Sequence, residues 1–285
     1  MKFIVLVLML ISGAMMSPVS AQEGQYAPLN GLELYYEIHG EGEPLVLLHG
    51  GLGGIPEFGA LLPALAQTRQ VIAVELQGHG HTADIDRPLS YEALADDIAA
   101  LIAYLELEQA DVMGFSLGGG VALQTAIRHP EVVRKLVLVS TPFRREGIHE
   151  VFRQGMSAMT AESASAMLET PMYMLYSSVA PNLNDWATLV GKVGAMMAQD
   201  YDWSAEVTAM TTPTLILAGD SDMIPPAHAV EMFGLLGGGV PGDFGPMPAS
   251  QVAILPATTH FTILSKVEMV TPLVNAFLDA PAAQS

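Results

Sequence analysis

The stretch Ala110–His129, ADVMGFSLGGGVALQTAIRH, constrains this chain more than any other. Residues 110–115 form a short apolar run with strand character, and 117–128 carry apolar residues at helical spacing. Only Ser116 lies between them, so a strand must turn into a helix around one residue. A turn that sharp strains its central residue and leaves no room for side chains two positions before and two after it. Gly114 and Gly118 stand at those positions. The turn would lift the serine Oγ clear of the sheet and aim the N–H of Leu117 at any carbonyl it attacks, which makes Ser116 the candidate nucleophile. The pentapeptide alone is equally readable as a glycine-rich turn that packs a helix against a sheet, so the rest of the chain decides.

Residues 1–21, MKFIVLVLMLISGAMMSPVSA, pair one lysine with an apolar run and end in small residues. This is a signal-peptide pattern with cleavage expected after Ala21, and it implies an exported protein, periplasmic or secreted. The apolar run is shorter than a membrane span needs and no basic stop follows it, so no stable membrane insertion is expected after cleavage. The chain contains no cysteine, which excludes a disulfide framework, a thiolate metal site and a cysteine nucleophile. Its stability must come from a core, and a 51% hydrophobic composition supplies one large domain over residues 22–285. A formal net charge of −19 argues against nucleic acid and anionic lipid surfaces as partners.

Around the central stretch, strands and helices alternate. Residues 25–29 and 32–38 flank Asn30-Gly31, a dipeptide suited to a hairpin turn. Residues 44–48 form an apolar strand running into His49-Gly50-Gly51-Leu52-Gly53-Gly54, where clustered glycines present backbone N–H groups to an anion. The N–H groups of Gly51 and Leu117 are the expected oxyanion hole. A phosphate loop is the competing reading, but no lysine follows the glycines at the Walker spacing. His49 is expected to brace the loop. Residues 70–75 form the next strand, followed by Gly78-His79-Gly80-His81; these histidines with Asp84 and Asp86 match no metal-ligand spacing and are read as surface groups on a glycine-rich loop. A helix capped by Ser90 is expected over 89–105.

Residues 132–139 are another β-branched run, so the pattern predicts an α/β fold with a mostly parallel sheet covered by helices on both faces. Between this sixth strand and the strand at 213–218 the pattern turns helical and methionine-rich, with Met156, Met159, Met167, Met172, Met174, Met196 and Met197. We expect a helical cap over residues 143–209, its methionines either shaping an apolar pocket or packing cap against core. Past the strand at 213–218 stand Asp220 and Asp222, either of which can reach the serine's edge of the sheet, and past the strand at 251–255 stands His260. Residues 237–250, rich in glycine and proline, read as a surface loop.

The order serine, acid, histidine, with the His-Gly loop at His49, Gly78-His79-Gly80, the GFSLGG turn and Gly219-x-x-Asp222, resembles the α/β-hydrolase superfamily over nearly all of residues 22–285. The resemblance implies an α/β-hydrolase fold and a triad of Ser116, Asp222 and His260, with Asp222 preferred over Asp220 by its place three residues after the strand-ending glycine. His39, His129, His149 and His228 do not match the position of the base. The implied activity is that of a serine hydrolase cleaving a small or medium carboxylic ester or lactone through an acyl-enzyme, with no metal and no cofactor. Carbon–carbon bond hydrolases and cofactor-free perhydrolases share these motifs, and a binding or sensor protein on the same scaffold is a further alternative. Dehalogenases and epoxide hydrolases carry aspartate where Ser116 stands, and proline iminopeptidases carry proline where Leu52 stands. Glu75 and Gln77 depart from the aspartate and arginine that relatives place before Gly-His-Gly.

Overall fold

The computed structural model describes residues 24–243 and 245–281. The leader expected at 1–21 lies outside the described residues. Gln25–Leu29 (β1) and Leu32–His39 (β2) form the hairpin; Asn30 and Gly31 both adopt positive φ, 49° and 84°, as its two-residue turn demands. Glu43–Leu48 (β3), Arg69–Val74 (β4), Ala110–Phe115 (β5), Val133–Val139 (β6), Thr214–Gly219 (β7) and Gln251–Leu255 (β8) complete one sheet of eight strands in the order β1-β2-β4-β3-β5-β6-β7-β8. β2 pairs antiparallel with β1 and with β4, and every other pairing is parallel.

The parallel strands are apolar along their length because both faces are covered. Leu45, Leu47, Met113, Val137 and Leu215 pack on one face against Leu61–Leu65 (α1) and the C-terminal helix. Their alternates Val46, Leu48, Val112, Leu138 and Ile216 pack on the other against Tyr91–Tyr104 (α2) and Leu117–Arg128 (α3). α2 starts two residues later than its apolar pattern suggests, because Ser90 accepts the Ala93 N–H at 3.1 Å and closes the helix there.

Between β6 and β7 lie Glu150–Ser157 (α4), Pro171–Val179 (α5), Trp186–Ala198 (α6) and Ser204–Ala209 (α7), the helical cap. Its two ends are stitched together where they leave the sheet: Arg145 N–H donates to Tyr201 O and Trp203 N–H to Phe143 O, each at 3.0 Å. Lys192 of α6 anchors the cap to the loop after β4, its Nζ donating to Asp84 Oδ2 at 2.6 Å and to two backbone carbonyls. Pro226–Leu235 (α8) follows β7, and Val267–Asp279 (α9) is the last helix among the described residues. The described residues 237–243 and 245–250 form turns, bends and irregular chain without a helix or strand. No helix among the described residues is long and apolar enough to cross a membrane.

Candidate active site

Because β3 and β5 to β8 run parallel, their C-terminal ends share one edge, and the loops carrying Gly51, Ser116, Asp222 and His260 leave from it. Ser116 sits between β5 and α3 with φ 54° and ψ −117°, a conformation strained for any residue with a Cβ and costing about 1–3 kcal/mol. Its flanking glycines are obligatory here. A Cβ on Gly114 would stand 2.1 Å from the carbonyl oxygen of Gly118, and one on Gly118 2.3 Å from that of His49. Strand pairing fixes the serine itself, whose N–H donates to Val139 O at 2.9 Å.

His260 Nε2 lies 3.0 Å from Ser116 Oγ, and His260 Nδ1 lies 2.8 Å from Asp222 Oδ1. This geometry assigns the tautomer: Nδ1–H donates to the carboxylate and Nε2 accepts from the hydroxyl. Asp222 is buried, which pushes its carboxyl up, but its hydrogen bond and charge interaction with His260, with help from Ser140 and Gly219, overcome that and leave it below the usual carboxylate range. Asp220 makes no contact with the imidazole. Its two carboxylate oxygens accept the N–H groups of Ala257 and Thr258 at 2.9 and 3.1 Å, bracing the loop that delivers His260. The remaining histidines are engaged elsewhere: His39 with Glu37, His129 with Asp96, and His228 stacked on Phe143. His149 stands at the N-cap of α4.

The expected oxyanion donors come together as well. A Cβ on Gly51 would meet the Leu117 side chain, at Cδ1, at 3.3 Å, so the two residues are neighbours, and among the described residues neither N–H has a hydrogen-bond partner. Two buried histidines shape the loop. His49 Nδ1–H donates to Gly50 O at 2.7 Å while its Nε2 accepts the Leu76 N–H; His79 Nδ1–H donates to Gln77 O while its Nε2 accepts the Leu52 N–H at 3.1 Å. Burial pushes them down to about 3 and about 4, so both are neutral crosslinks between the loops after β3 and β4. His79 is thus not the surface imidazole its glycine-rich setting suggests; the loop folds inward to let it carry Leu52, which holds a positive φ of 58°.

Glu75 and Gln77 have structural partners. Glu75 accepts from the N–H and the ring of His81 and from the N–H of Ile55, and Gln77 exchanges hydrogen bonds with Arg87, whose guanidinium reaches Asp97. Sequence reasoning missed two residues. Ser140, directly after β6, donates its hydroxyl to Asp222 Oδ2. Glu57, in a short 3₁₀ helix at Ile55–Phe58, accepts the Gly50 N–H at 2.8 Å, and burial raises its carboxyl to about 7. The signal for Ser140 was its place at the end of a strand on the catalytic edge; for Glu57 there was only a lone carboxylate in an apolar run.

Ser116 and His260 open into a cavity of about 740 Å³. Met156, Met159, Met167, Met172 and Met197 of the cap line it with Val193, Leu175 and Phe152, and Met223 joins them from the loop after β7. Met174 is instead exposed and Met196 is buried in the core. Among the described residues lining the cavity there is no lysine or arginine, and the ionisable side chains are His260 and Glu57.

The sequence profile of the alpha/beta hydrolase fold matches residues 43–156. YisY of Bacillus subtilis, an AB hydrolase superfamily protein, is 31% identical over 215 residues, which span 68% of this chain and 79% of that one. Among solved structures, a carboxylesterase from Bacillus subtilis superposes with a TM-score of 0.71 at 20% identity, over 92% of this chain and 93% of that chain. The enol-lactonase from Burkholderia xenovorans LB400 does so with a TM-score of 0.67 at 23% identity, over 90% and 100%. At those identities the two structures speak for the fold alone, and the relative at 31% identity carries the family. The chain belongs to the alpha/beta hydrolase superfamily.

Proposed function

We propose that this protein is a serine hydrolase that cleaves a carboxylic ester or lactone with an uncharged, apolar acyl group, forming an acyl-enzyme on Ser116. The observation that carries the reading is the unbroken chain of contacts from Asp222 through His260 to Ser116 Oγ, opening into an apolar cavity. His260 Nε2 takes the serine proton as Oγ attacks, a general-base role worth about 10²- to 10⁴-fold in rate. Asp222 holds the tautomer and stabilises the imidazolium that forms. Negative charge then develops on the former carbonyl oxygen, facing the N–H groups of Gly51 and Leu117, each such donor contributing about 2.7–4 kcal/mol. His260 returns its proton to the leaving alcohol, and a water activated by the same nitrogen releases the acid.

The cavity wall favours an ester over the carbon–carbon bond hydrolase alternative. Ring-cleavage products carry a carboxylate, and burying one beside Glu57 with no cationic side chain in the wall is costly. The residues at 1–21 support export of the enzyme, to be checked by the mass of the protein recovered outside the cytoplasm. The activity is tested with p-nitrophenyl esters of increasing chain length on protein starting at Gln22, alongside Ser116→Ala, Asp222→Asn and His260→Ala. Turnover should appear in the parent and fall at least 10³-fold in Ser116→Ala. A parent that cleaves no ester and whose Ser116 resists a fluorophosphonate would instead favour a binding protein.

A further inference from the structure

The Gly51 N–H sits in a loop of four glycines around Leu52, the least rigid backbone composition available, yet an oxyanion donor is effective only if it is aimed before the charge appears. Its direction is set by its own peptide unit, because the Gly50 carbonyl and the Gly51 N–H point opposite ways across one planar trans bond. The carbonyl end of that unit is pinned twice, by His49 Nδ1–H at 2.7 Å and by Gly53 N–H at 3.1 Å. Fixing the unit also requires holding the Gly50 Cα, and on that side the hold is the bond from Gly50 N–H to Glu57 Oε2 at 2.8 Å. The carboxylate is fitted to the loop: a Cβ on Gly53 would stand 2.5 Å from Glu57 Oε2 and one on Gly50 3.3 Å. Glu57 also borders the cavity that Ser116 and His260 open into, and a smaller neighbouring one of about 240 Å³ walled by Phe115, Phe261 and Leu264.

We infer that Glu57 is a positioning residue of the oxyanion hole, its side-chain oxygen holding the Gly50 N–H so that the next N–H, that of Gly51, faces the carbonyl attacked by Ser116. The inference rests on the serine-hydrolase reading. It is the acceptor that matters in this role, and the negative charge does not; a full carboxylate near a developing oxyanion opposes it.

Two substitutions of similar volume separate these contributions. Glu57→Gln keeps an oxygen acceptor and removes the charge; Glu57→Leu removes both and suits an apolar wall, so it is expected to fold. With the preferred p-nitrophenyl ester, Glu57→Leu should lower kcat about 10²-fold with KM changed less than about threefold, and should slow fluorophosphonate labelling of Ser116 by a similar factor. Glu57→Gln should stay within about threefold of the parent in both. The inference is overturned if Glu57→Leu keeps the parent's kcat and labelling rate, if its loss appears in KM alone, or if Glu57→Gln falls as far as Glu57→Leu. A parent chain that neither turns over esters nor labels takes down the hydrolase reading together with this one; a parent that does both beside an equally fast Glu57→Leu takes down this one alone.

Discussion

At Asp222 the carboxylate is shared among four donors: His260 Nδ1–H and the Ile224 N–H on Oδ1, and the Ser140 hydroxyl and the Gly219 N–H on Oδ2. The ones from Ser140 and from the backbone fix which oxygen faces the imidazole. Ser140 is fully buried and holds a positive φ of 50°, so its hydroxyl is delivered by strained backbone at the end of β6. Replacing it with alanine leaves Oδ2 short of a partner without touching substrate. Ser140→Ala should lower kcat roughly 10-fold, the worth of one hydrogen bond to a charged group, with KM unchanged, and steady-state kinetics on the preferred ester measures both. Ser116, Asp222 and His260 were legible in the sequence because each is the chemically reactive type just past a strand. Ser140 also stands just past a strand, but neither it nor Glu57 fits the order of serine, acid and histidine, and nothing in their immediate neighbours names a partner 82 or 7 positions away.

Among the elements, the strands were the most readable, since a buried parallel strand is a continuous apolar run and each boundary fell within a residue or two of the sheet found. The cap was readable as helical and as an insertion, but not in its packing. Methionines at helical spacing do not say which face meets the core, and the outcome is decided by contacts such as Trp186 Nε1 donating to Ala164 O at 3.2 Å, which no local pattern encodes. The docking of α9 was equally hidden. Its last carbonyls have no partners within the helix, and Lys135 of β6, itself buried, reaches across to those of Phe277 and Leu278 at 2.8 and 3.2 Å and to Ala280 O just beyond. Lys135→Met keeps the apolar stem and strips the helix end of its donor. It should destabilise the protein by about 1.5–3 kcal/mol in urea unfolding while kcat stays within twofold, because Ser116 and His260 stand at the opposite edge of the sheet.

Across the whole molecule, the cost of building a polar edge into an apolar core shows in its buried histidines. His49, His79 and His228 are all held neutral by burial, at about 3, about 4 and about 4, against an ordinary 6.5. A depressed histidine is unprotonated in the fold while the unfolded chain takes up its proton below about 6.5, so the stability it contributes is complete above that pH and is lost as pH falls toward 3–4. Glu57 works the other way: raised to about 7 from 4.5, it binds a proton in the fold first, so its contribution grows as pH falls from 7 to 4.5. Each group contributes a slope of at most about 1.4 kcal/mol per pH unit, and three histidines outweigh one glutamate. Unfolding free energy measured by urea titration should therefore decline steadily from pH 6.5 to 4.5. His228 lies away from Ser116, accepting the Phe143 N–H at 3.2 Å where the cap leaves the sheet. His228→Gln offers that N–H another acceptor without a titrating ring, so it should flatten the decline by about one such increment per pH unit. A profile as steep as the parent's would mean that the imidazole at 228 is not held neutral, and that acid lability enters through the catalytic edge instead of the hinge of the cap.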